Sequence, residues 1–262
     1  MSRRARLALS AVLAAATLLA AGSAAAQTGL GRYGSNDWRR ANRPTEDADR
    51  LFSPGRFAFE VRFGPYTPQI DDEFDGAATP YEDVFNPNPQ FYVGLEIDWL
   101  PIRIPYLGVV GPGVGWGYTS ASAKAKISGE DTESGQDTSL WIMPMYLSAV
   151  LRVDVLQREV NIPIVPYAKL GVGWGLWSAS SGEDTAQVGD VTARGSSLGP
   201  HLALGGMLSL TWLDPRSTGS LRDSTGLSAI YLFGEWMNAS LGGGSQMRVG
   251  TSTWVLGLAA QR

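Results

Sequence analysis

The sequence predicts an all-β protein in which eight antiparallel strands close into an up-and-down transmembrane β-barrel. Three observations lead to this fold class. Apolar residues recur at every second position in eight segments, the connectors alternate between long and short, and a glycine-rich pentapeptide occurs twice. A period of two is the pattern of a β-strand with two different faces. Segments of about 9–11 residues are long enough to cross a bilayer as tilted strands.

The repeated pentapeptide, Gly-Val-Gly-Trp-Gly, occupies residues 113–117 and residues 171–175. Glycine at every second position gives a strand one bare face and one apolar face. A phosphate-binding G-x-G-x-x-G loop is the competing interpretation, but it would need glycine where Trp116 and Leu176 stand. The repeat therefore predicts two transmembrane strands with a bare inner face.

The alternating segments are separated by connectors of two kinds that follow one another in turn. The segments lie at 57–64, 91–99, 106–121, 141–154, 165–178, 198–212, 230–236 and 253–259. Polar connectors lie at 67–89, 124–138, 179–195 and 239–246, and mostly shorter ones at 101–105, 156–164 and 213–225. Long loops on one side and tight turns on the other are typical of outer-membrane barrels, whose long loops face outside the cell.

The two strand faces distinguish a membrane barrel from a soluble one. In the second segment Val93, Leu95 and Ile97 alternate with Gly94 and Glu96, and the other segments follow the same rule. A soluble lipocalin-type barrel is the alternative, but closure with the polar face outward would bury a continuous apolar lining. The opposite closure places charge pairs inside and apolar residues in lipid, and a closed barrel leaves no backbone group unpaired there.

An eight-stranded barrel is just wide enough for side chains to fill it. We therefore predict a lumen plugged by charged and aromatic side chains, with the bare glycine faces making room for them. Tyr146 lies on the strand between the two glycine strands, and its ring is expected to cover glycines of both. The predicted lumen network is Glu60, Arg62, Glu96, Asp98, Tyr146, Arg152, Asp154, Lys169, His201 and Glu235.

The N-terminal residues predict export. Arg3, Arg4 and Arg6 precede an apolar stretch and an Ala-Ala-Ala cleavage site, so residues 1–26 are expected to be a secretory signal peptide. Residues 27–55 are polar without apolar periodicity, which predicts a flexible periplasmic segment before the barrel at 56–262. The expected location is the outer membrane.

Composition excludes several classes of function. Cleavage would remove three arginines and no acidic residue, which leaves 18 basic against 25 acidic residues and a net charge of −7. An acidic exported chain is a poor candidate for nucleic-acid binding. The absence of cysteine excludes disulfides, thiol chemistry and a lipoprotein anchor.

The single histidine raises the alternative of a lipid-modifying barrel enzyme. His201 has the inward phase and is expected to lie close to Glu235 across the following hairpin, where the pair could serve as a general base. Lipid A deacylase barrels carry a serine two residues after their histidine, and Ala203 stands there in this chain. We therefore expect no enzymatic activity and a hydrogen-bonded lumen histidine.

The first long connector carries a calcium-loop pattern. Its carboxylates match the spacing D-x-[DNE]-x-D-G-x5-E, although a glutamate replaces the usual residue at the third position. Calcium is thus the one cofactor that the sequence suggests. The predicted ligands are Asp71, Glu73, Asp75 and Glu82.

Five stretches spread over most of the predicted barrel carry a family resemblance. They are Phe-Gly-Pro-Tyr at 63–66, the acidic connector at 72–85, Trp-Ile-Met-Pro-Met at 141–145, Tyr-Leu-Phe-Gly-Glu-Trp at 231–236 and Ser-Thr-Trp-Val-Leu-Gly-Leu at 252–258. The chain resembles the uncharacterised outer-membrane β-barrel family known mainly from myxobacteria. The resemblance implies an outer-membrane location and a small eight-stranded barrel similar to OmpA and OmpW, with no established activity to carry over.

The sequence favours a structural or surface-interaction role through the long loops, with an OmpW-like transporter of small hydrophobic molecules as the alternative. The expected partners of this monomer are outer-membrane lipid, lipopolysaccharide and the barrel assembly machinery. One feature departs from such barrels, because the terminal aromatic position in phase with Trp254 is Arg262.

Overall fold

The computed structural model describes residues 56–126, 133–181, 184–188, 191–210 and 225–262. The predicted signal peptide at 1–26 and the segment 27–55 lie outside the described residues, as does most of the connector 213–225.

Strands dominate the described chain, and each of the eight predicted segments contains a barrel strand, with residues 211–212 of the sixth segment outside the described residues. The barrel strands are β1 Phe57–Tyr66, β2 Gln90–Trp99, β4 Gly108–Lys126, β5 Glu133–Arg152, β6 Ile164–Ser181, β10 Arg194–Ser209, β11 Ala229–Ala239 and β12 Thr251–Gln261. Short connector strands are β3 Ile102–Ile104, β7 Asp184–Thr185, β8 Gln187–Val188 and β9 Val191–Thr192. Three short helices are a 3₁₀ helix Asp71–Phe74, α1 Pro80–Phe85 and α2 Val155–Glu159.

The eight long strands form a closed antiparallel barrel. Each pairs with its neighbours along the chain, and β1 pairs with β12 to close the sheet. The backbone of Phe57 exchanges hydrogen bonds of 3.0 and 2.8 Å with Arg262, so the last residue takes part in the closure. The predicted fold class is confirmed. Among the described residues, no helix is long and apolar enough to span a membrane.

The two faces of the sheet follow the predicted alternation. Leu170 and Trp254 on the outer face are 65% and 68% exposed, whereas their chain neighbours Lys169 and Val255 are fully buried. Large apolar side chains cover the outside in this way on most of the barrel strands. A continuous exposed apolar surface of this kind marks contact with a membrane or with a partner, and here it surrounds the barrel.

Four adjacent strands are much longer than a bilayer crossing requires. β4, β5, β6 and β10 have 16–20 residues, whereas the other four barrel strands have 10 or 11. The extra residues continue the sheet past one end of the barrel, which we call the upper end. We name this extension the wall and define it as residues 120–126, 133–141, 178–181 and 194–200. The connectors predicted at 124–138 and 179–195 are therefore largely strand.

Two connectors cover the free edges of the wall. Tyr81 and Phe85 of α1 join the apolar cluster that includes Ala121 of β4, on one side of the wall. On the other side, the backbone N–H groups of Ser240 and Gly242 donate hydrogen bonds of 3.0 and 3.1 Å to carbonyl groups of β10. Covered edges cannot template the addition of another strand.

Apolar clusters lie above and below the middle of the lumen. The upper cluster includes Leu241 and Val249, which the connector after β11 folds over the glycines of β6. The lower cluster includes Tyr167, Met207 and Phe233. The space between the two clusters holds the charged side chains.

Candidate functional site

The candidate site is a group of charged and tyrosine side chains in the middle of the barrel, which we call the charged network. The alternation of each strand turns them inward, and every member is at most 4% exposed. They are Glu60 and Arg62 on β1, Glu96 and Asp98 on β2, Tyr146 and Arg152 on β5, Tyr167 and Lys169 on β6, and Glu235 on β11.

Arg62 lies at the centre of the charged network. Its Nη2 atom is 3.0 Å from Glu60 Oε2, 2.7 Å from Glu96 Oε2 and 2.9 Å from Glu235 Oε1. Its Nη1 atom donates a hydrogen bond of 2.5 Å to the Tyr146 hydroxyl. One guanidinium group thus binds carboxylates from three different strands.

Lys169 shares two carboxylate oxygens with Arg62, and Arg152 pairs with one oxygen each of Glu60 and Asp98. Lys169 Nζ is 2.8 Å from Glu60 Oε2 and 2.7 Å from Glu96 Oε2. Arg152 Nη2 is 2.8 Å from Glu60 Oε1 and 2.5 Å from Asp98 Oδ2. Buried charges are tolerated only when close pairing offsets their desolvation, and removal of one partner typically costs about 3–5 kcal/mol. The charged network is therefore a mutually dependent unit.

Tyr167 belongs to the charged network although the sequence analysis did not single it out. Its hydroxyl donates a hydrogen bond of 2.8 Å to Glu235 Oε2, and its ring centroid is 5.1 Å from Lys169 Nζ. Because it lies two residues before Lys169, it has the same inward phase. The alternation alone was sufficient to find it.

Tyr146 lies between the two glycine strands, in register with Gly115 on β4 and Gly173 on β6. A Cβ atom at Gly115 would overlap the Tyr146 ring, so the expected aromatic-over-glycine packing is present on that side. It is absent on the other side, because Leu241 and the Cβ atom of His201 take the space over Gly173. The connector after β11 bends into the barrel, which the strand pattern does not reveal.

His201 and Glu235 do not form the predicted pair. The register of β10 and β11 places His201 opposite Ala239 and Glu235 opposite Gly205, four positions away. His201 instead stacks on the Tyr146 ring, with centroids 4.0 Å apart, and neither ring nitrogen has a hydrogen-bond partner among the described residues. The long connector between the two strands leaves their register open to sequence reasoning, because only short hairpin turns fix it.

Asp154 lies apart from the charged network, at the lower end of the barrel. It precedes α2, and its Oδ2 atom is 3.4 Å from Arg103 Nη2 in the neighbouring turn. Burial raises the pKa of the Asp154 carboxyl group above its usual range. The inward prediction fails here because β5 ends at Arg152, and the period of two ends with it.

Two carboxylates of the connector predicted to bind calcium accept hydrogen bonds from backbone N–H groups. Asp71 accepts hydrogen bonds of 2.7 and 3.0 Å from backbone N–H groups in the first turn of α1, and Glu73 accepts one from the backbone N–H of Arg248. In the described part of the chain, no three of the predicted ligands place oxygen atoms within 4.8 Å of one another. Calcium binding stays a prediction for Asp71, Glu73, Asp75 and Glu82.

Comparison with solved structures finds small outer-membrane barrels. Ail of Yersinia pestis is 13% identical, with 79% of this chain and 96% of that chain covered and a TM-score of 0.38. Neisserial surface protein A is 11% identical, with 79% and 96% covered and a TM-score of 0.38. OprG of Pseudomonas aeruginosa is 15% identical, with 80% and 96% covered and a TM-score of 0.42.

The class of protein that the fold defines is the closed eight-stranded antiparallel β-barrel, which the strand pairing of this chain shows by itself. Because the sequence identities and the TM-scores are low, the comparison adds nothing to the assignment of the fold. No protein-family model matches the sequence, and no curated protein matches it. The resemblance to the myxobacterial family stays a prediction.

Proposed function

We propose that this protein is an outer-membrane β-barrel with a structural or surface-interaction role, delivered by export with a cleaved signal peptide at 1–26. The observation that supports this proposal best is the wall. Four strands continue well past the length that crosses a bilayer, on the end of the barrel that carries the long connectors. In outer-membrane barrels the long loops face outside the cell. The wall would then stand on the cell surface.

A row of hydroxyl side chains crosses the outer face of the wall, in which Ser122 is exposed and Ser180 is buried. Ser122, Ser139, Ser180 and Thr185 follow one another in register across four strands, and the hydroxyl oxygens of Ser139 and Ser180 are 2.6 Å apart. Below the wall, the same face of the same strands is apolar. The change from apolar to hydroxyl side chains marks where lipid would end and the lipopolysaccharide headgroups would begin.

The lumen argues against a transport role. The charged network ties five strands together, and apolar clusters lie above and below it. An OmpW-like transporter of hydrophobic molecules needs an apolar path, whereas this interior offers paired charges. The catalytic alternative depends on a pair formed by His201 and Glu235, and the strand register places these two residues four positions apart. We expect neither transport nor catalysis.

Single-cysteine labelling on whole cells tests the proposed surface location, because the natural chain contains no cysteine. Ser122→Cys places a thiol on the exposed outer face of the wall. A membrane-impermeant maleimide is expected to label this variant on intact cells. Arg158→Cys, on the partly exposed helix α2 at the opposite end, is the matched control and is expected to react only after lysis.

The two variants together decide the orientation. Labelling of Arg158→Cys on intact cells, with Ser122→Cys protected until lysis, would reverse the barrel and refute the surface role. Labelling of neither variant on intact cells, together with labelling of both after lysis, would place the protein away from the cell surface.

A further inference from the structure

We propose that Glu96 and Asp98 form a binding site for one proton, held between their carboxyl groups over Gly113. The proposed surface role does not depend on this proton-binding site. It follows from the positions of two carboxylate oxygens and from the charge balance of the lumen.

Two buried oxygen atoms are aimed at the same place. Among the described residues, neither Glu96 Oε1 nor Asp98 Oδ1 has a hydrogen-bond partner. A Cβ atom built on Gly113 would lie 3.0 Å from Glu96 Oε1 and would overlap Asp98 Oδ1. Both oxygens therefore lie directly over this glycine, and any larger residue there would displace them.

A third buried polar atom lies at the same level. Ser148 is in register with Gly113 from the other side of β4, has the inward phase and is only 4% exposed. Its hydroxyl also lacks a hydrogen-bond partner among the described residues. Buried polar groups are nearly always satisfied, so the two unsatisfied carboxylate oxygens indicate that a donor or a positive charge belongs there, and the Ser148 hydroxyl, with its single proton, can satisfy at most one of them.

The charge balance indicates that the missing group carries one positive charge. The buried lumen side chains of the described chain include four carboxylates and three cations, which leaves one uncompensated negative charge. The carboxylates are Glu60, Glu96, Asp98 and Glu235, and the cations are Arg62, Arg152 and Lys169. An unpaired charge in a protein interior is costly, and such a group takes up a proton instead.

The excess charge falls on Glu96 and Asp98 rather than on the other two acids. Glu60 has cations on both oxygens, because Oε1 meets Arg152 and Oε2 meets Arg62. Glu235 Oε2 accepts hydrogen bonds from Arg62 and Tyr167, and Glu235 Oε1, although it accepts no hydrogen bond, lies 2.9 Å from the Arg62 Nη2 cation.

Glu96 and Asp98 each have one occupied and one unoccupied oxygen. Glu96 Oε2 binds Arg62 and Lys169, and Asp98 Oδ2 binds Arg152. Two carboxylates that share a site hold one proton between them, because both cannot ionise at close range. The unoccupied oxygens of this pair are the atoms that would share it.

His201 does not supply the missing charge. Neither ring nitrogen donates a hydrogen bond to a carboxylate among the described residues, and a protonated ring would bury two donors without an acceptor. The ionisable groups that face the Glu96–Asp98 pair come from the surrounding strands. They are Glu60 and Arg62 from β1, Tyr146 and Arg152 from β5, Lys169 from β6, His201 from β10 and Glu235 from β11.

Infrared spectroscopy of the folded protein in lipid detects the proton directly. The parent protein at neutral pH is expected to show the carbonyl stretch of a buried protonated carboxyl group. Asp98→Asn is expected to lose this band, because the amide N–H replaces the shared proton and leaves Glu96 ionised. Glu159→Gln, which removes an exposed carboxylate outside the lumen, is the control and is expected to keep the band.

Thermal unfolding gives a second readout. The melting temperature of the parent should fall as the pH rises and the shared proton is lost, and Asp98→Asn should not show this fall. Absence of the carbonyl band in the parent would overturn the proposal. A parent whose stability follows sodium instead of pH, compared in sodium chloride and choline chloride, would replace the proton by a metal cation and also overturn it.

Discussion

Gly115 shows how a single residue determines what the barrel can hold. The Tyr146 ring occupies the place that a Cβ atom at Gly115 would take, and Tyr92 covers Gly117 in the same way. The alternation of glycine in the sequence was sufficient to predict this bare inner face and the tyrosine above it. The alternation also gives Tyr92 the inward phase, but it does not show which glycine the Tyr92 ring covers.

Substitution at Gly115 tests this residue-scale account. Gly115→Ala should lower the free energy of unfolding by about 1–3 kcal/mol, because overpacking forces the tyrosine and its hydrogen bonds to shift. Gly206→Ala is the matched control, since a Cβ there meets no atom within 4 Å. Urea unfolding in lipid vesicles, followed by tryptophan fluorescence, measures both. Equal effects of the two substitutions would contradict the packing of Tyr146 on Gly115.

At the scale of elements, the wall is the main difference between the sequence prediction and the structure. Residues 120–126 are rich in serine, alanine and lysine, so they lack the apolar alternation that identified the strands. They are strand because β5 supplies a partner in register, such as Ser122 opposite Ser139. Pairing with a neighbouring strand can outweigh the conformational preference of a segment's own residues. A search for apolar alternation considers one segment at a time and therefore does not detect such pairing.

Proline at Ser139 tests whether the wall is an independent part of the sheet. Ser139 lies between Ser122 and Ser180 in the ladder, and proline in a central strand removes a backbone hydrogen bond. Ser139→Pro should open the wall to limited proteolysis while the barrel keeps its resistance to unfolding by detergent. Ser139→Thr, which favours strands, should leave the wall protected. Loss of the folded barrel in Ser139→Pro would show that wall and barrel form one cooperative unit.

At the scale of the whole molecule, the sequence was sufficient for the fold class and for most of the charged network. Phase within a strand predicted Glu60, Arg62 and Lys169 as inward residues, and closure of the barrel brings them together. The inward or outward phase of a residue does not specify the register between two neighbouring strands. For this reason the predicted pairing of His201 with Glu235 was wrong. It also does not mark where a strand ends, which is why Asp154 was placed in the network.

We propose that side chains close the lumen of this barrel. An eight-stranded barrel is just wide enough for side chains to fill it, and we propose that the charged network and the apolar clusters do so. The most direct measurement is the conductance of the refolded protein in planar lipid bilayers, with a trimeric porin in the same bilayer as the positive control. The account predicts no open-channel steps on the porin scale. Stable porin-sized conductance would contradict it.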